Sequence, residues 1–499
     1  MNSLISAALL LLSGASLTLA YAPFLLWPVS LLGLMVAVRQ LHRRPDQGFK
    51  TGWLFGLGWF GAGISWVHVS IADFGGLPLA ASIGLMVVLC SYLALYPALA
   101  FYLTKRLFKP ALWPLALPAW WFIGEWLRSW VLTGFPWLSV GYSQLNSPLA
   151  GWFPVIGETG VSALLIFVAT GCAVWLTKRR FVPALLSLAL VFGSGWALQH
   201  VQWVTIHKTV DVAMVQGNIE QSVRWQPEQD QPIMNTYRSL TQPLLNNDLI
   251  IWPEAAIPKL EYLSRAWLRE LDSEAAQQQT AIISGIVNYN FESQQTWNSL
   301  IVLGQQDKES GGDYRYAGTN RYEKHHLLPI GEFVPFEDIL RPLAPLFDLP
   351  MSSFTRGDYQ QTNLLANGLR LAPAICFEIA FPRQVATNIL NNTDILLTVS
   401  NDAWFGHSHG PAQHLQIAQT RALEMGKPVI RATNNGITAF IDANGVITSR
   451  LPQFQQGAIA DQVDITRGMT PYRYAGDLPM ALLLMVALIG GYWAQQRRQ

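Results

Sequence analysis

Three titratable residues in the second half of the chain have side chains that together can carry out nucleophilic catalysis. Glu254 lies in the run DLIIWPEAAIP, Lys324 in NRYEKHHLLPIGEFVPF and Cys376 in LRLAPAICFEIAFP. A thiolate is a strong nucleophile, but a free cysteine is mostly protonated near neutral pH, so it needs a base and a nearby cation. The set therefore predicts a cysteine nucleophile assisted by one carboxylate and one ammonium group.

The three side chains have distinct expected roles. Glu254 takes the thiol proton, provided that an apolar wall formed by Trp252 and Pro253 raises its pKa toward the working pH. Lys324 stabilises the thiolate and the oxyanion of a tetrahedral intermediate, together with the backbone N–H of Phe377. No histidine is required in this scheme.

Two further carboxylates, Glu332 and Glu378, are expected to balance the lysine charge or to share in proton transfer. Each residue alone is a weak signal, since most such glutamates, lysines and lone cysteines are structural, and the ordered set carries the prediction. His407, His409 and His414 have no nearby cysteine and fit no common metal-site spacing. We therefore expect no metal and no cofactor.

The elements that position these residues are predicted to be strands alternating with helices, which is typical of an α/β domain with layers of both. Each chemical residue follows an apolar strand or lies in a loop after one, where side chains are fixed but reachable. The predicted helices include Glu261–Gln278 and Ala412–Gly426. The predicted strands are Asp211–Ile219, Leu249–Ile251, Thr280–Val287, Ser299–Leu303, Leu369–Cys376, Asp394–Ser400, Val429–Thr433 and Thr438–Ile441.

The rest of the chain is predicted to span a membrane. The sequence of 499 residues is 51% hydrophobic and 13% charged, and its charges are concentrated in the central block. Since a bilayer core needs roughly 20 apolar residues of helix, about eight spanning helices are expected. Two lie before residue 39, divided by Pro23 and Pro28, with no basic region that would indicate a signal peptide. The others are Thr51–Ala72, Leu79–Thr104, Ala111–Leu132, Thr159–Thr177, Phe181–Gln199 and Leu478–Gln496.

Two features of the predicted membrane-spanning half require an explanation. Glu125 and Arg128, three residues apart in a predicted span, can pair on one helical face. The connection Thr133–Glu158 is rich in Trp, Pro and Gly, which favours either a segment at the outer interface that dips back into the membrane or an ordinary amphipathic loop.

Basic residues in alternate loops predict the orientation. The basic loops contain Arg39, Arg43, Arg44 and Lys50; Lys105, Arg106 and Lys109; and Lys178, Arg179 and Arg180. The positive-inside rule then places both termini in the cytoplasm and the central block outside it. We expect helices one to seven in residues 1–202, an extracytoplasmic catalytic domain in 203–477, and a last helix with a cytoplasmic tail in 478–499. A net charge of +1 gives no reason to expect nucleic acid as a partner.

The motifs IWPE, YEKHHLLPIGEFVPF and ICFE resemble the carbon–nitrogen hydrolase (nitrilase) superfamily, whose Glu–Lys–Cys triad has this chain order. The flanking apolar helices and the run SNDAWFGHSHGPAQHLQIAQTRALEMGKPVIRATNNGITAFID extend the likeness over nearly the whole chain, which resembles the family of apolipoprotein N-acyltransferases. One departure is Phe377, where many relatives have tyrosine, so no phenol role is expected there.

The resemblance implies a nitrilase-like α-β-β-α sandwich and a ping-pong transfer through a Cys376 thioester. The donor would be a phospholipid, typically phosphatidylethanolamine, and the acceptor the N-terminal amine of an S-diacylglyceryl-cysteine apolipoprotein. It further implies a monomer integral to the bacterial inner membrane with a periplasmic active site. Trp404, Asn298 and Glu378 become candidate substrate-lining residues. Arg341 and Arg356 are candidates to bind a phosphate headgroup, unless they are surface or structural charges.

Two other functions are compatible with parts of this pattern. A membrane-tethered amidase would use the same triad with water as the acceptor, and would release free fatty acid or ammonia. A transporter with an extracytoplasmic binding domain would need paired polar residues at mid-membrane and broken helices in matching halves, and apart from Glu125 and Arg128 the sequence shows neither.

Overall fold

The computed structural model describes residues 3–43, 46–74, 78–307, 311–329, 331–333 and 354–497. The chain forms two compact units. The first takes in residues 1–203, 408–416 and 470–499, and the second takes in 204–407 and 417–469.

Apolar helices build the described part of the first unit. Five helical segments are long and apolar enough to cross a membrane: Ser3–Ala20, Leu79–Leu107, Pro148–Thr177, Phe181–Leu198 and Leu478–Gln496. Three more helices have 16 residues each: Pro28–Arg43, Gly48–Gly63 and Trp113–Arg128. At 1.5 Å per residue these three are about 24 Å long, somewhat short of a bilayer core of about 30 Å. The described helices agree with the predicted multi-pass bundle.

The segment Leu79–Leu107 is two helices rather than the single predicted one. Leu79–Leu93 and Leu95–Leu107 meet at Ala94, just before Pro97, whose ring nitrogen has no hydrogen to donate in the first turn. Gly56 lies directly against the backbone of Ala94 and the ring of Pro97, where a Cβ atom would overlap both. Glycine is required there because the two backbones approach so closely.

The connection after the helix Trp113–Arg128 is folded into the first unit. It forms three short 3-10 helices, Val131–Thr133, Val140–Gln144 and Pro148–Trp152, and then enters the helix Phe153–Thr177. Trp137 is almost completely buried. The connection is therefore a packed part of this unit and not an exposed loop.

Glu125 and Arg128 bind to this connection rather than to each other. Glu125 Oε1 accepts a hydrogen bond from the Val140 backbone N–H at 3.0 Å, and its Oε2 accepts one from the Ser139 hydroxyl at 2.9 Å. Arg128 Nη1 donates to the Phe135 carbonyl at 2.8 Å. The expected pair is absent from the ion pairs of the described residues, because each charge is satisfied by the loop.

Two six-stranded sheets build the described part of the second unit. Their strand orders are β12-β1-β2-β3-β4-β5 and β11-β10-β9-β8-β7-β6. The strands are β1 Val204–Gln216, β2 Leu249–Ile251, β3 Ala281–Asn290, β4 Gln295–Gly304, β5 Arg321–Glu323, β6 Leu364–Ala366, β7 Leu369–Ile375, β8 Ile395–Ser400, β9 Val429–Thr433, β10 Thr438–Ile441, β11 Ile447–Leu451 and β12 Gly457–Gly468. In each sheet three adjacent strands are parallel: β1, β2 and β3 in the first, and β7, β8 and β9 in the second.

Alternate side chains of the strands enter two different cores. Leu249 and Ile251 of β2 belong to a buried cluster that also contains Ile375 of β7 and other residues of the second sheet. Ile250, between them, belongs to a second cluster with the helices Asp230–Thr241 and Glu261–Gln277. This alternation follows from the two-residue period of a strand. The predicted α/β domain with layered sheets is confirmed.

Four strands have no counterpart in the sequence prediction: β5, β6, β11 and β12. The longest, β12, pairs with β1 in antiparallel register from Val204 opposite Gly468 to Gln216 opposite Gly457. Its sequence GAIADQVDITRG alternates exposed charged residues with buried apolar ones only near its end. Such a polar strand has little hydrophobic signal and is formed by pairing with its neighbour.

Candidate active site

Cys376 directly follows the last residue of β7 and begins the 3-10 helix Cys376–Ala380. Its backbone is in the left-handed region, with φ of 54°, which is uncommon for a residue with a side chain. Cys376 is half-buried, whereas Ile375 before it and Phe377 after it are buried. The strained turn thus presents the thiol at the carboxyl end of a rigid strand.

Glu254 and Lys324 form a buried ion pair. Glu254 lies three residues after β2, and Lys324 directly follows β5. Lys324 Nζ is 3.2 Å from Glu254 Oε1, and their side chains are 2% and 10% exposed. The backbone N–H of Lys324 donates to the Asn298 carbonyl at 2.9 Å, which fixes the lysine beside β4.

Glu332 and Asn298 complete this charged cluster. Lys324 Nζ is 2.9 Å from Glu332 Oε2, so the ammonium lies between two carboxylates. Asn298 Nδ2 donates to Glu254 Oε1 at 2.8 Å and to Glu332 Oε1 at 2.9 Å. Asn298, predicted to line the substrate, therefore uses its amide within the cluster.

Hydrogen bonds and charge, not the apolar wall, set the ionisation of Glu254. Burial by itself raises the pKa of this carboxyl, but the Lys324 ammonium and the hydrogen bonds from Asn298, Lys324 and the Asn401 backbone N–H lower it below its usual value. The expectation that an apolar wall formed by Trp252 and Pro253 raises this pKa toward the working pH is therefore wrong. Conversely, although burial opposes the ammonium, the carboxylates of Glu254 and Glu332 raise the pKa of Lys324 well above its usual value. Both groups are charged near neutral pH.

The resting nucleophile is a thiol. Burial, followed by the negative charge of Glu254, raises the pKa of Cys376 to about 12, while Lys324 and a hydrogen bond with Ser400 act in the opposite direction. The thiol is therefore protonated near neutral pH. The sulfur must therefore lose its proton as it attacks, not before.

Glu378 is completely buried and accepts five hydrogen bonds. Its Oε1 accepts from the backbone N–H groups of His325 and His326 at 2.9 Å each, and its Oε2 accepts from the Tyr322 hydroxyl at 2.9 Å and the Ile375 N–H at 2.8 Å. The fifth donor is the Gln384 amide, at 2.8 Å. Glu378 thus fastens the segment after Lys324 to the end of the cysteine strand.

The other predicted site residues lie in different settings. The Phe377 ring packs edge-on against Phe381, with ring centres 5.0 Å apart. Trp404 is half-buried in a 3-10 helix three residues after Asn401. Arg356 is exposed, with its guanidinium 5.0 Å from the ring centre of Phe333. Arg341 lies outside the described residues.

Three polar groups at the end of β8 escaped the sequence analysis. The Asn401 backbone N–H donates to Glu254 Oε2 at 3.0 Å. Ser400 donates to Asp402 Oδ1 at 2.6 Å, and Asp402 Oδ2 is 2.6 Å from Arg431 Nη2. The apolar run before Ser400 and the polar SND that follows it marked this strand end, but a main-chain donor leaves no signature in residue type. No group of three or more metal-binding side chains occurs among the residues that the structure describes.

Comparison with known proteins covers both units. Residues 13–171 match the apolipoprotein N-acyltransferase N-terminal domain, and residues 211–472 match the carbon–nitrogen hydrolase family. The second match confirms the nitrilase-like fold of this part of the chain.

Curated relatives align over almost the full length. An apolipoprotein N-acyltransferase of Vibrio cholerae is 48% identical over 490 residues, which cover 97% of this chain and 96% of the relative. One of Vibrio vulnificus is 47% identical over 492 residues, with the same coverage. The crystal structure of a CN-hydrolase superfamily protein from Xanthomonas campestris covers 51% of this chain and 91% of its own, at 17% identity and a TM-score of 0.37.

Proposed function

The chain belongs to the family of apolipoprotein N-acyltransferases, and from this premise we propose that it transfers a fatty acyl chain from a membrane phospholipid to a lipoprotein through a thioester on Cys376. The donor is typically phosphatidylethanolamine. The acceptor is the α-amine of an N-terminal S-diacylglyceryl cysteine.

The observation that carries this proposal is that the Cys376 thiol interacts electrostatically with a buried, charged Glu254–Lys324 pair. The charges of both side chains act on the thiol, in opposite directions. Because the thiol is neutral at rest, the pair acts during the attack, when charge moves from sulfur to the substrate oxygen. A carboxylate or a lysine far from the thiol could not assist the attack in this way.

In the first half-reaction the Cys376 sulfur attacks the ester carbonyl of the phospholipid while its proton passes to Glu254. The tetrahedral oxyanion is stabilised by the Lys324 ammonium and the Phe377 backbone N–H. The intermediate then collapses, the carbon–oxygen bond breaks, and Glu254 returns the proton to the departing oxygen. The products are a lysophospholipid and an acyl thioester on Cys376.

In the second half-reaction the lipoprotein amine attacks the thioester carbonyl. Glu254 accepts a proton from the nitrogen, and the same cation and N–H stabilise the new oxyanion. When the carbon–sulfur bond breaks, Glu254 returns that proton to the sulfur. The result is an amide on the lipoprotein and a regenerated Cys376 thiol.

A membrane location serves both substrates. A fatty chain loses roughly 0.8 kcal/mol for each CH₂ group that moves from lipid into water. Both the phospholipid and the diacylglyceryl acceptor carry such chains. The apolar helices keep the enzyme in the bilayer that holds both molecules.

The test is to incubate the purified full chain with phosphatidylethanolamine vesicles alone. Mass spectrometry should then find a hydroxylamine-labile acyl group on the peptide that contains Cys376, and a diacylglyceryl peptide added afterwards should remove it as an N-acyl product. Cys376→Ser is the control that should carry no such adduct. Absence of the adduct in the unaltered protein, or release of free fatty acid in place of the N-acyl product, would contradict the proposal.

We also propose that the second unit lies on the periplasmic side of the inner membrane and that both termini are cytoplasmic, as the distribution of basic loop residues favours. Cysteines introduced at the exposed positions Glu292 and Lys178 test this orientation. In intact spheroplasts a membrane-impermeant maleimide should label Glu292→Cys and spare Lys178→Cys. The reverse pattern would refute the orientation.

A further inference from the structure

Arg224 is a buried arginine that the proposed mechanism does not use. It lies in the segment after β1 and is only 3% exposed. Its Nη2 donates to the backbone carbonyl of Glu254 at 2.5 Å and also to that of Ala255. A guanidinium is rarely buried without hydrogen-bond or charge partners, because burial of a charge is costly unless it is compensated.

The two carbonyls belong to a strained turn. Ala255, directly after the candidate base, has a φ of 45°, in the left-handed region that a residue with a Cβ atom rarely adopts. Such a conformation persists only where the surroundings hold it. The Arg224 hydrogen bonds to the carbonyls on both sides of this turn are contacts that can hold it.

The same segment reaches the other side of the carboxylate. Gln221 Oε1 accepts a hydrogen bond from Asn401 Nδ2 at 2.7 Å, and the Asn401 backbone N–H donates to Glu254 Oε2 at 3.0 Å. A second side chain, Asn434, donates to Asn401 Oδ1 at 3.0 Å and to the Ile219 carbonyl at 2.8 Å. The segment is therefore attached at several points around Glu254.

We infer that Arg224 is a positioning residue for the proposed base, because its guanidinium holds the Glu254–Ala255 turn. This inference rests on the proposed role of Glu254 in acyl transfer. Arg224 itself is not assigned any contact with the substrate.

Lys324, Arg224, Glu332 and Cys376 are charged or titratable side chains that interact with Glu254 or share its partners. Lys324 and Arg224 are cations, and both interact with its charge. Glu332 shares the Lys324 ammonium and the Asn298 amide with it, and the Cys376 thiol lies within its field. Removal of one of the two cations should raise the pKa of Glu254 and leave more of it protonated, and so inactive as a base, in mild acid.

The experiment compares the rate of acyl-adduct formation on Cys376 at about pH 7 and about pH 5, with the full chain in phosphatidylethanolamine vesicles. Arg224→Gln removes the charge, Arg224→Lys keeps it with a group that can still donate to both carbonyls, and Arg238→Gln is the control. Arg238 is another arginine of the same unit, but its partners are the surface residues Glu270 and Glu274.

We expect Arg224→Gln to slow adduct formation about 100-fold at neutral pH, as misplacement of a catalytic group does, and to lose still more at pH 5. Arg224→Lys should stay within about tenfold of the unaltered protein, with the same ratio between the two pH values. The control variant should match the unaltered protein. Iodoacetamide should alkylate Cys376 in all four proteins at about pH 9, which checks that the thiol is still accessible.

Two results would overturn the inference. One is a rate within about threefold of normal for Arg224→Gln. The other is an equal loss in Arg224→Gln and Arg224→Lys with an unchanged pH ratio, which a purely structural role would give. If Arg224→Gln does not fold, the double variant Arg224→Gln with Ala255→Gly replaces it, because glycine adopts the left-handed turn without strain. This double variant must still form the adduct more slowly at pH 5. If the unaltered protein forms no adduct, the proposed function fails, and not this inference alone.

Discussion

Replacement of Lys324 by methionine tests the electrostatic core of the site. The ammonium lies 3.2 Å from Glu254 Oε1 and 2.9 Å from Glu332 Oε2, and both carboxylates also share the Asn298 amide. Without the Lys324 ammonium, the Glu254 and Glu332 carboxylates face each other without the cation that lies between them. Removal of one partner from a buried ion pair typically costs about 3–5 kcal/mol. We expect a loss of this size in the free energy of unfolding at neutral pH.

The same variant should lose acyl transfer, because the oxyanion loses its cation. Loss of one such group typically costs about 100- to 1000-fold in rate. Adduct formation on Cys376 measures the rate, and thermal unfolding in detergent measures stability, with an expected fall in Tm of about 10 °C.

A second variant separates the two effects. Lys324→Met combined with Glu332→Gln removes the surplus negative charge, so we expect it to regain most of the stability but none of the activity. The reasoning is refuted if Lys324→Met lowers stability by less than about 1 kcal/mol, if the double variant is as unstable as the single one, or if either keeps its rate within tenfold.

Three further predictions address other groups. In Cys376→Ala, acyl transfer should fall by at least about 1000-fold, as for other lost nucleophiles. In the unaltered protein the alkylation rate of Cys376 should rise about tenfold per pH unit toward the thiol pKa of about 12. A plateau of this rate near pH 8 would contradict the raised pKa. Because the pKa of Glu254 is lowered on folding, its stabilising contribution is present above its unfolded pKa and is lost as the pH falls through the lower folded value. Below about pH 4.5, denaturant titrations should therefore show a steeper loss of stability for the unaltered protein than for Glu254→Gln. If stability falls equally with pH in both proteins, the pKa of Glu254 is not lowered on folding. In Glu125→Leu, the Ser139 hydroxyl, the Val140 N–H and the Trp121 indole N–H all lose their acceptor, at a cost of about 1–3 kcal/mol each. Thermal unfolding should therefore occur at a clearly lower temperature. An unchanged Tm would contradict the role of this buried carboxylate.

The sequence identified Glu254, Lys324 and Cys376 as a candidate catalytic set because residue types and their order are themselves chemical information. It also predicted the membrane helices and most central strands, since hydrophobic runs and their period record burial directly. Strands such as β12 were missed because their residues are polar and their partners are distant in the chain. The helix Leu478–Gln496, in contrast, was predicted with the bounds that the structure has.

Tertiary structure alone decided how the chemical groups meet. The Asn401 N–H on Glu254 is a main-chain donor that almost any residue type would supply. Arg224 lies 30 positions before Glu254 and donates to backbone oxygens. The direction of the Glu254 pKa likewise depends on donors from β4, β5 and β8 converging on one carboxylate. Residue types determine which reactions are possible for this chain. The charges and hydrogen bonds that assist them are set by distances, which exist only once the strands have paired.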